Sequence, residues 1–208
     1  MKQERLDALS DGIFAIVMTI LVFEIRIPEL GSLANNQTLW WSLKESAPLF
    51  FSYIVSFAVL FTYWRSNHFI ASVYAKNITI QLTNISALFF FFVALVPFSS
   101  YLLGLYSGTQ TAIIFFALNT ICIGLSLLWM RMYVDRSEEI KNIEMTPVER
   151  RHSYMRILFP VFASFVAIIV CFFSIDVALT LLTLAIIFNL LPGTTTVISW
   201  VIDPILGR

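Results

Sequence analysis

Two carboxylates near the start of the chain, Asp11 and Glu24, bracket an uncharged run that is too short to cross a membrane. The run from Gly12 to Phe23 has 12 residues. As a helix it covers about 18 Å, whereas the hydrocarbon core of a bilayer is about 30 Å thick. If this segment spans, at least one carboxylate lies at or inside the membrane boundary, where it needs water or a partner. The first span is therefore expected to line a pore or a cavity.

An apolar stripe on this segment could form the narrow part of a pore. Ile16, Ile20 and Phe23 follow the i, i+4, i+7 spacing of one helix face, and Thr19 lies beside them. A ring of apolar side chains can close a pore by dewetting. The ordinary alternative is that the stripe packs against lipid or protein. Thr19 has two interpretations as well, because its hydroxyl can face the pore or bond a carbonyl one turn back.

Polar residues at the inner end of the second span are candidate partners for the first helix. Ser10 and Asp11 either cap the helix or lie within it and need partners. Trp64 and His68 carry N–H groups that could donate hydrogen bonds to Asp11. Three asparagines within spans are expected to hold helices together: Asn84, Asn119 and Asn189.

Membrane helices are the elements that must position these residues. The chain has 208 residues, of which 59% are hydrophobic and 12% charged, against about 25% charged in soluble domains. Its long uncharged runs predict an all-α membrane protein with one transmembrane domain over residues 1–208. The six predicted spans cover about 8–27, 46–66, 79–103, 110–131, 147–174 and 177–202. Residues 29–46 are interpreted as a polar connection, and Pro97 is expected to kink the third span.

The distribution of lysine and arginine orients these spans. Six spans place both termini on one side, and that side holds eleven of the 13 basic residues, while Arg26 and Lys44 lie on the other. The positive-inside rule makes the first side cytoplasmic. Asp11 is then at the inner end of the first span and Glu24 at the outer end.

Several classes of function lack their residues. The sequence contains no H-E-x-x-H or G-x-S-x-G motif, and Cys122 and Cys171 lie singly in apolar runs. We therefore expect neither an enzyme nor a cofactor or metal site. The formal net charge is zero, which gives no general attraction to nucleic acid.

The segment Arg5-x-x-x-Leu9-Ser10-Asp11-Gly12 resembles the R-x-x-x-F-S-D signature of the transmembrane protein 175 potassium channels, with Leu9 in place of the phenylalanine. The six-span length resembles the prokaryotic members. The resemblance implies a homotetramer in the plasma membrane of a prokaryote. It also implies potassium as the permeant ion and a central pore lined by the first helix of each subunit.

The resemblance further implies a role for individual residues. Ile16 would form the constriction, with Ile20 and Phe23 on the same pore face, and Thr19 would form a selectivity layer. Glu24 would supply negative potential at the outer mouth. The signature and its helix-anchoring partners would be Arg5, Ser10, Asp11, Gly12, Trp64, Asn67 and His68.

These observations predict a potassium-permeable cation channel with an apolar constriction on the first helix and no TVGYG filter. Both Ile16 and Phe23 are candidates for the gate. The main alternative is a small secondary transporter or proton-coupled exchanger that uses Asp11 and His68. A third interpretation is a membrane scaffold that transports nothing.

Overall fold

The described part of the chain is all-α. A computed structural model describes residues 3–26, 30–31, 34–75, 77–138, 140 and 146–190. A 3-10 turn (Leu21–Glu24) follows the first helix, and a π-helical turn (Phe69–Tyr74) follows the third. The α-helices are α1 (Gln3–Ile20), α2 (Asn36–Glu45), α3 (Ala47–His68), α4 (Ile80–Ala94), α5 (Val96–Leu105), α6 (Gln110–Arg136), α7 (Pro147–Val170) and α8 (Ile175–Leu190).

Most of these helices are long and apolar enough to cross a membrane. Five such segments occur among the described residues: Glu4–Glu24, Ala47–Ala71, Ile80–Leu105, Gln110–Arg136 and Val148–Val170. The apolar helix α8 is shorter, with 16 residues. The predicted all-α membrane class is confirmed, and the helix number agrees with six spans. The end of the predicted sixth span, residues 191–202, lies outside the described residues.

The third span consists of two helices. It breaks at Leu95, between α4 and α5, and Pro97 occupies the first turn of α5. Proline has no N–H to continue the hydrogen-bond ladder and favours the first turn of a helix. The kink expected at Pro97 therefore takes the form of a break.

Residues 29–46, interpreted as a polar connection between spans, contain a helix that was not predicted, α2. The Asn35 side chain accepts hydrogen bonds from the backbone N–H groups of Gln37 and Thr38, each at 2.9 Å. The Thr38 hydroxyl in turn accepts the Asn35 N–H at 3.0 Å. This reciprocal cap satisfies N–H groups that a helix start leaves unpaired. Trp40 and Trp41 are both exposed on α2, as suits a membrane interface.

Polar side chains join several of the helices. The Asn119 amide on α6 donates to the Ser99 hydroxyl on α5 at 3.3 Å. The Asn189 amide on α8 donates to the Arg156 carbonyl on α7 at 3.1 Å. The prediction that asparagines hold helices together is confirmed at these two positions.

A glycine sets how closely α6 approaches its neighbours. A methyl group added at Gly124 would collide with the Val161 side chain on α7 and would lie 2.9 Å from the Tyr63 hydroxyl on α3. Tyr63 is buried and donates to the Thr120 carbonyl at 3.2 Å. The helices α3, α6 and α7 therefore pack closely together, and α1 can pack against them.

Candidate pore-lining helix

One face of α1 is buried against its own subunit. Leu6, Ser10, Phe14, Val17 and Leu21 recur every three or four residues, and none of their side chains is more than 6% exposed. This spacing places all five on one side of a helix. Their burial fixes the rotation of α1 about its own axis.

The opposite face of α1 is left uncovered. Ile16 is 59% exposed, Ile20 40% and Phe23 71%. Thr19 and Leu9 are exposed on the same face. The stripe that the sequence suggested as a constriction thus points away from the core of the subunit. In a membrane, such a face meets lipid, another copy of the chain, or a pore.

The Thr19 hydroxyl donates its hydrogen bond within the helix. Its Oγ1 donates to the carbonyls of Ala15 at 2.8 Å and Ile16 at 2.9 Å. This is the ordinary behaviour of a threonine in a helix. Because the proton is directed at the backbone, the lone pairs of the oxygen remain available on the exposed face. Thr19 can therefore present a cation ligand while it satisfies its own donor.

The outer end of α1 tightens into the 3-10 turn. In this geometry, side chains three residues apart eclipse one another. Ile20 immediately precedes the turn and Phe23 lies within it, so their side chains stack along the helix axis. Glu24 ends the turn and is partly buried. The apolar stripe thus continues from Ile16 to the acidic outer end without a polar break on that line other than Thr19.

A buried hydrogen bond joins the inner part of α1 to α3. The Asn67 amide donates to the Ser10 hydroxyl at 2.7 Å. Ser10 is 4% exposed and Asn67 is 2% exposed. A hydrogen bond that is shielded from water contributes to the stability of the contact between its two helices. The bond therefore holds α1 at a defined height against α3.

A second contact lies one residue further along α1. The Trp64 indole donates to an Asp11 carboxylate oxygen at 2.9 Å, and Asp11 is itself exposed. The His68 ring stacks on the Trp64 ring with centroids 5.8 Å apart and an interplanar angle of 22°. Trp64 thus stands between the carboxylate and the histidine. Asp11 retains an open side toward the uncovered face of α1.

The remaining signature positions make fewer contacts. Arg5 is exposed and forms no ion pair within the described part of the chain. Gly12 is exposed, and a methyl group added there would have no neighbour within 4 Å. The space beside Gly12 is therefore open on the same side as Ile16.

Sequence reasoning missed the largest buried side chain on α1. Phe14 is 1% exposed, and its ring lies 5.9 Å from the ring of Phe89 on α4. Phe14 falls on the face opposite the stripe, together with Leu6, Ser10 and Leu21, but both faces carry apolar residues, and the sequence does not show which of them is covered. This contact ties α1 to a third helix.

Comparison with known proteins shows which proteins this chain is similar to. The family model described as the endosomal/lysosomal potassium channel TMEM175 matches residues 5–97. A potassium channel from Chryseobacterium sp. (strain P1-3) is 28% identical over 161 residues, which are 76% of this chain and 79% of that protein. The crystal structure of a lysosomal potassium-selective channel TMEM175 homolog from Chamaesiphon minutus superposes with a TM-score of 0.75. It is 25% identical, and the match covers 90% of this chain and 95% of that one. The chain is similar to TMEM175 proteins in sequence over residues 5–97 and in fold over most of its length.

These similarities confirm the resemblance drawn from Arg5, Ser10, Asp11 and Gly12. Together with the apolar helices, they indicate a membrane protein. The family model begins at Arg5 and ends at Pro97, so it covers α1, α3 and most of the third span. A mammalian TMEM175 relative, the endosomal/lysosomal proton channel from Bos taurus, is 34% identical over 73 residues. Those residues are 33% of this chain and 15% of that protein.

Proposed function

We propose that this chain is one subunit of a homotetrameric, potassium-permeable cation channel in the plasma membrane of a prokaryote. Both termini are cytoplasmic, and α1 of each copy lines the central pore. The observation that carries the proposal is the division of α1 into one buried face and one exposed apolar face. The potassium-channel relative and the structural similarity to a potassium-selective channel support the choice of ion.

The constriction in this pore is apolar. Ile16 lies at the cytoplasmic end of the apolar stripe. Ile20 and Phe23 continue the stripe toward the outer side over about 10 Å of helix. A narrow ring of such side chains offers water no hydrogen bonds, so the closed pore empties and ions cannot pass. Opening requires the α1 helices to move apart or rotate until the water column is restored.

Selectivity rests on a small number of oxygen ligands. A ring of Thr19 hydroxyl oxygens, one from each subunit, replaces part of the water around an ion at that level. Because each oxygen keeps its proton in the helix, its lone pairs can face the ion. Few ligands replace few waters, so we expect modest discrimination of potassium over sodium. No resident cofactor is involved, and potassium is the permeant ion.

Carboxylates at the two ends concentrate cations. Glu24 lies at the outer mouth and Asp11 at the inner one, where rings of like charge raise the local cation concentration. The bonds from Trp64 and Asn67 to α1 set the height of the helix while its outer part moves. Asp11 therefore both positions the helix and supplies charge.

The decisive experiment replaces Ile16 by asparagine and measures potassium flux from liposomes that contain the purified protein. A polar ring at this level wets the pore, so flux rises several-fold. The control is Val22→Asn. Val22 has a similar exposure of 48% but lies in the 3-10 turn, about 80–120° away from Ile16 around the helix. Unchanged flux in Ile16→Asn, or an equal rise in both variants, would show that Ile16 does not form the constriction.

Recordings from the same liposomes separate the channel from its rivals. A channel gives single-channel current steps and flux that does not saturate at low ion concentration. A secondary transporter that uses Asp11 and His68 gives saturable flux without steps, and a scaffold gives no flux. The subunit number is measured on the same sample by native mass spectrometry, with four expected.

Protons are a second candidate ion, because the bovine relative is named as a proton channel. A pH-sensitive dye inside the liposomes distinguishes the two ions. A potassium channel acidifies or alkalinises the lumen only when a protonophore is added. Acidification at full rate without the protonophore would assign proton permeation to the chain as well.

A further inference from the structure

Two arginines at the inner membrane boundary lie close together without an acidic partner. Arg65 is near the end of α3 and Arg156 is in the first half of α7, and both are partly buried. Their positive charges act on each other. Neither forms an ion pair within the described part of the chain, whereas Arg150 on α7 reaches Asp135 at 3.6 Å. Like charges close together at a boundary repel each other, and an anion bound between them would relieve that repulsion.

The Arg65 side chain also has an unused donor. Its Nε atom is buried and has no hydrogen-bond partner among the described residues. A buried N–H without a partner costs about 1–3 kcal/mol. An arginine presents its donors as a planar fork that fits the oxygens of a phosphate. The unmet donor and the unmet charge thus call for the same kind of ligand.

An apolar groove begins next to these arginines. It has a volume of about 560 Å³ and lies between α3 and α8, with Ile54, Phe57, Phe61, Ile187 and Leu190 among its lining residues. Phe61 is one helical turn before Arg65. Leu190 follows Asn189, whose amide binds the Arg156 carbonyl at 3.1 Å. The lining of the groove is apolar, and Arg65 lies one helical turn beyond its Phe61 end, toward the cytoplasmic boundary.

We propose that this groove binds one anionic phospholipid of the inner leaflet. The phosphate lies between Arg65 and Arg156, and one acyl chain follows α3 from Phe61 past Phe57 to Ile54, about 10 Å along the helix. Phosphate chemistry matches the paired arginines, and an acyl chain matches the apolar lining. The lipid relieves the repulsion between the two charges and joins α3 to α7 and α8.

The test counts bound lipid by native mass spectrometry. The purified protein is equilibrated in detergent with equal amounts of phosphatidylglycerol and phosphatidylcholine and is then released from the micelles. We expect phosphatidylglycerol to be retained preferentially. Each arginine near a headgroup contributes about a fivefold change in binding, so the double variant Arg65→Gln/Arg156→Gln should retain about 30-fold less phosphatidylglycerol.

Controls make each outcome decisive. Arg136→Gln removes an exposed cytoplasmic arginine at the end of α6 and should leave retention unchanged. Arg65→Lys keeps the charge and should lose less bound phosphatidylglycerol than Arg65→Gln. This pair of single variants tests the proposal if the double variant does not fold. Equal retention of the two lipids by the wild-type chain overturns the proposal without any variant.

Two other occupants give different results. If millimolar glycerol 3-phosphate displaces the lipid, the site recognises a soluble phosphate and the lipid proposal is wrong. If the double variant changes the subunit number while phosphatidylglycerol has no effect on wild type, the groove is a contact between copies and the proposal is again wrong.

Discussion

Removal of the buried hydrogen bond between Asn67 and Ser10 should loosen α1 from α3. The bond is 2.7 Å long, and both side chains are almost completely buried. In Asn67→Ala the Ser10 hydroxyl can turn to a carbonyl one turn back in α1, which limits the cost of losing its partner. The variant also leaves a small cavity between the helices.

The magnitude follows from these terms. A hydrogen bond between membrane helices contributes about 0.6 kcal/mol on average and up to about 1.7 kcal/mol. The short, shielded Asn67–Ser10 bond belongs in the upper part of that range, so we expect a coupling energy of about 1 kcal/mol. With the cavity included, Asn67→Ala should destabilise the protein by about 2 kcal/mol.

A double-mutant cycle measures the coupling directly. Ser10→Ala, Asn67→Ala and the double variant are unfolded by heat in detergent. For a chain of this size, 1 kcal/mol corresponds to about 2–4 °C in Tm. Asn67→Ala should therefore lower Tm by about 4–8 °C, and the two single changes should exceed the double change in sum.

The matched control is Ser66→Ala, next to Asn67. The Ser66 hydroxyl bonds the Thr62 carbonyl within its own helix at 3.0 Å, so its loss should shift Tm by no more than about 1–2 °C. If the effects of Ser10→Ala and Asn67→Ala are additive within about 0.3 kcal/mol, the bond does not fix α1, and the positioning role assigned to it is refuted.

Four further predictions concern packing and the pore. Gly124→Ala should destabilise the fold by about 1–3 kcal/mol because the new methyl collides with α7, whereas Gly108→Ala, which meets nothing within 4 Å, should be near neutral in thermal unfolding. Phe14→Ala should lower the free energy of unfolding by about 2 kcal/mol. The cavity left by the ring destabilises a membrane protein as it does a soluble one, whereas the gain from moving the ring out of water is absent in lipid. Phe23→Ala, at a residue 71% exposed, should leave Tm within about 2 °C and alter conductance instead. Thr19→Val should preserve the fold and reduce the potassium-to-sodium permeability ratio, read from reversal potentials under bi-ionic conditions; an unchanged ratio would remove Thr19 from the selectivity layer.

The contacts of the first helix could be anticipated because burial of charge is expensive. A carboxylate at the end of a short apolar run needs a partner, and that requirement led to Trp64 as a donor to Asp11. The structure places the two groups 2.9 Å apart. The periodic stripe of α1 could also be read, because a helix has only one face to bury. Which face the subunit would cover could not be read, since Phe14 and Ile16 are both apolar.

Other features depend on packing that hydropathy does not encode. Arg131 counts as one more cytoplasmic charge in the sequence, yet its side chain is fully buried and its guanidinium lies 5.6 Å from the Tyr154 ring. The depth of that arginine is set by how α6 meets α7. In contrast, α2 could have been predicted from the sequence, because Asn35 and Thr38 have the spacing of a reciprocal helix cap.

The exposed face of α1 is also compatible with lipid in an inserted monomer that has not yet assembled. In the proposed tetramer, a newly inserted monomer would keep this face in lipid until other copies bind. Lipid acyl chains can solvate the apolar side chains of Ile16, Ile20 and Phe23. The Thr19 hydroxyl donates its hydrogen bond to carbonyls of its own helix. A pore lined by charged ligands would make the isolated subunit costly to insert. In the proposed channel, the same apolar surface would serve first for membrane insertion and then for ion permeation.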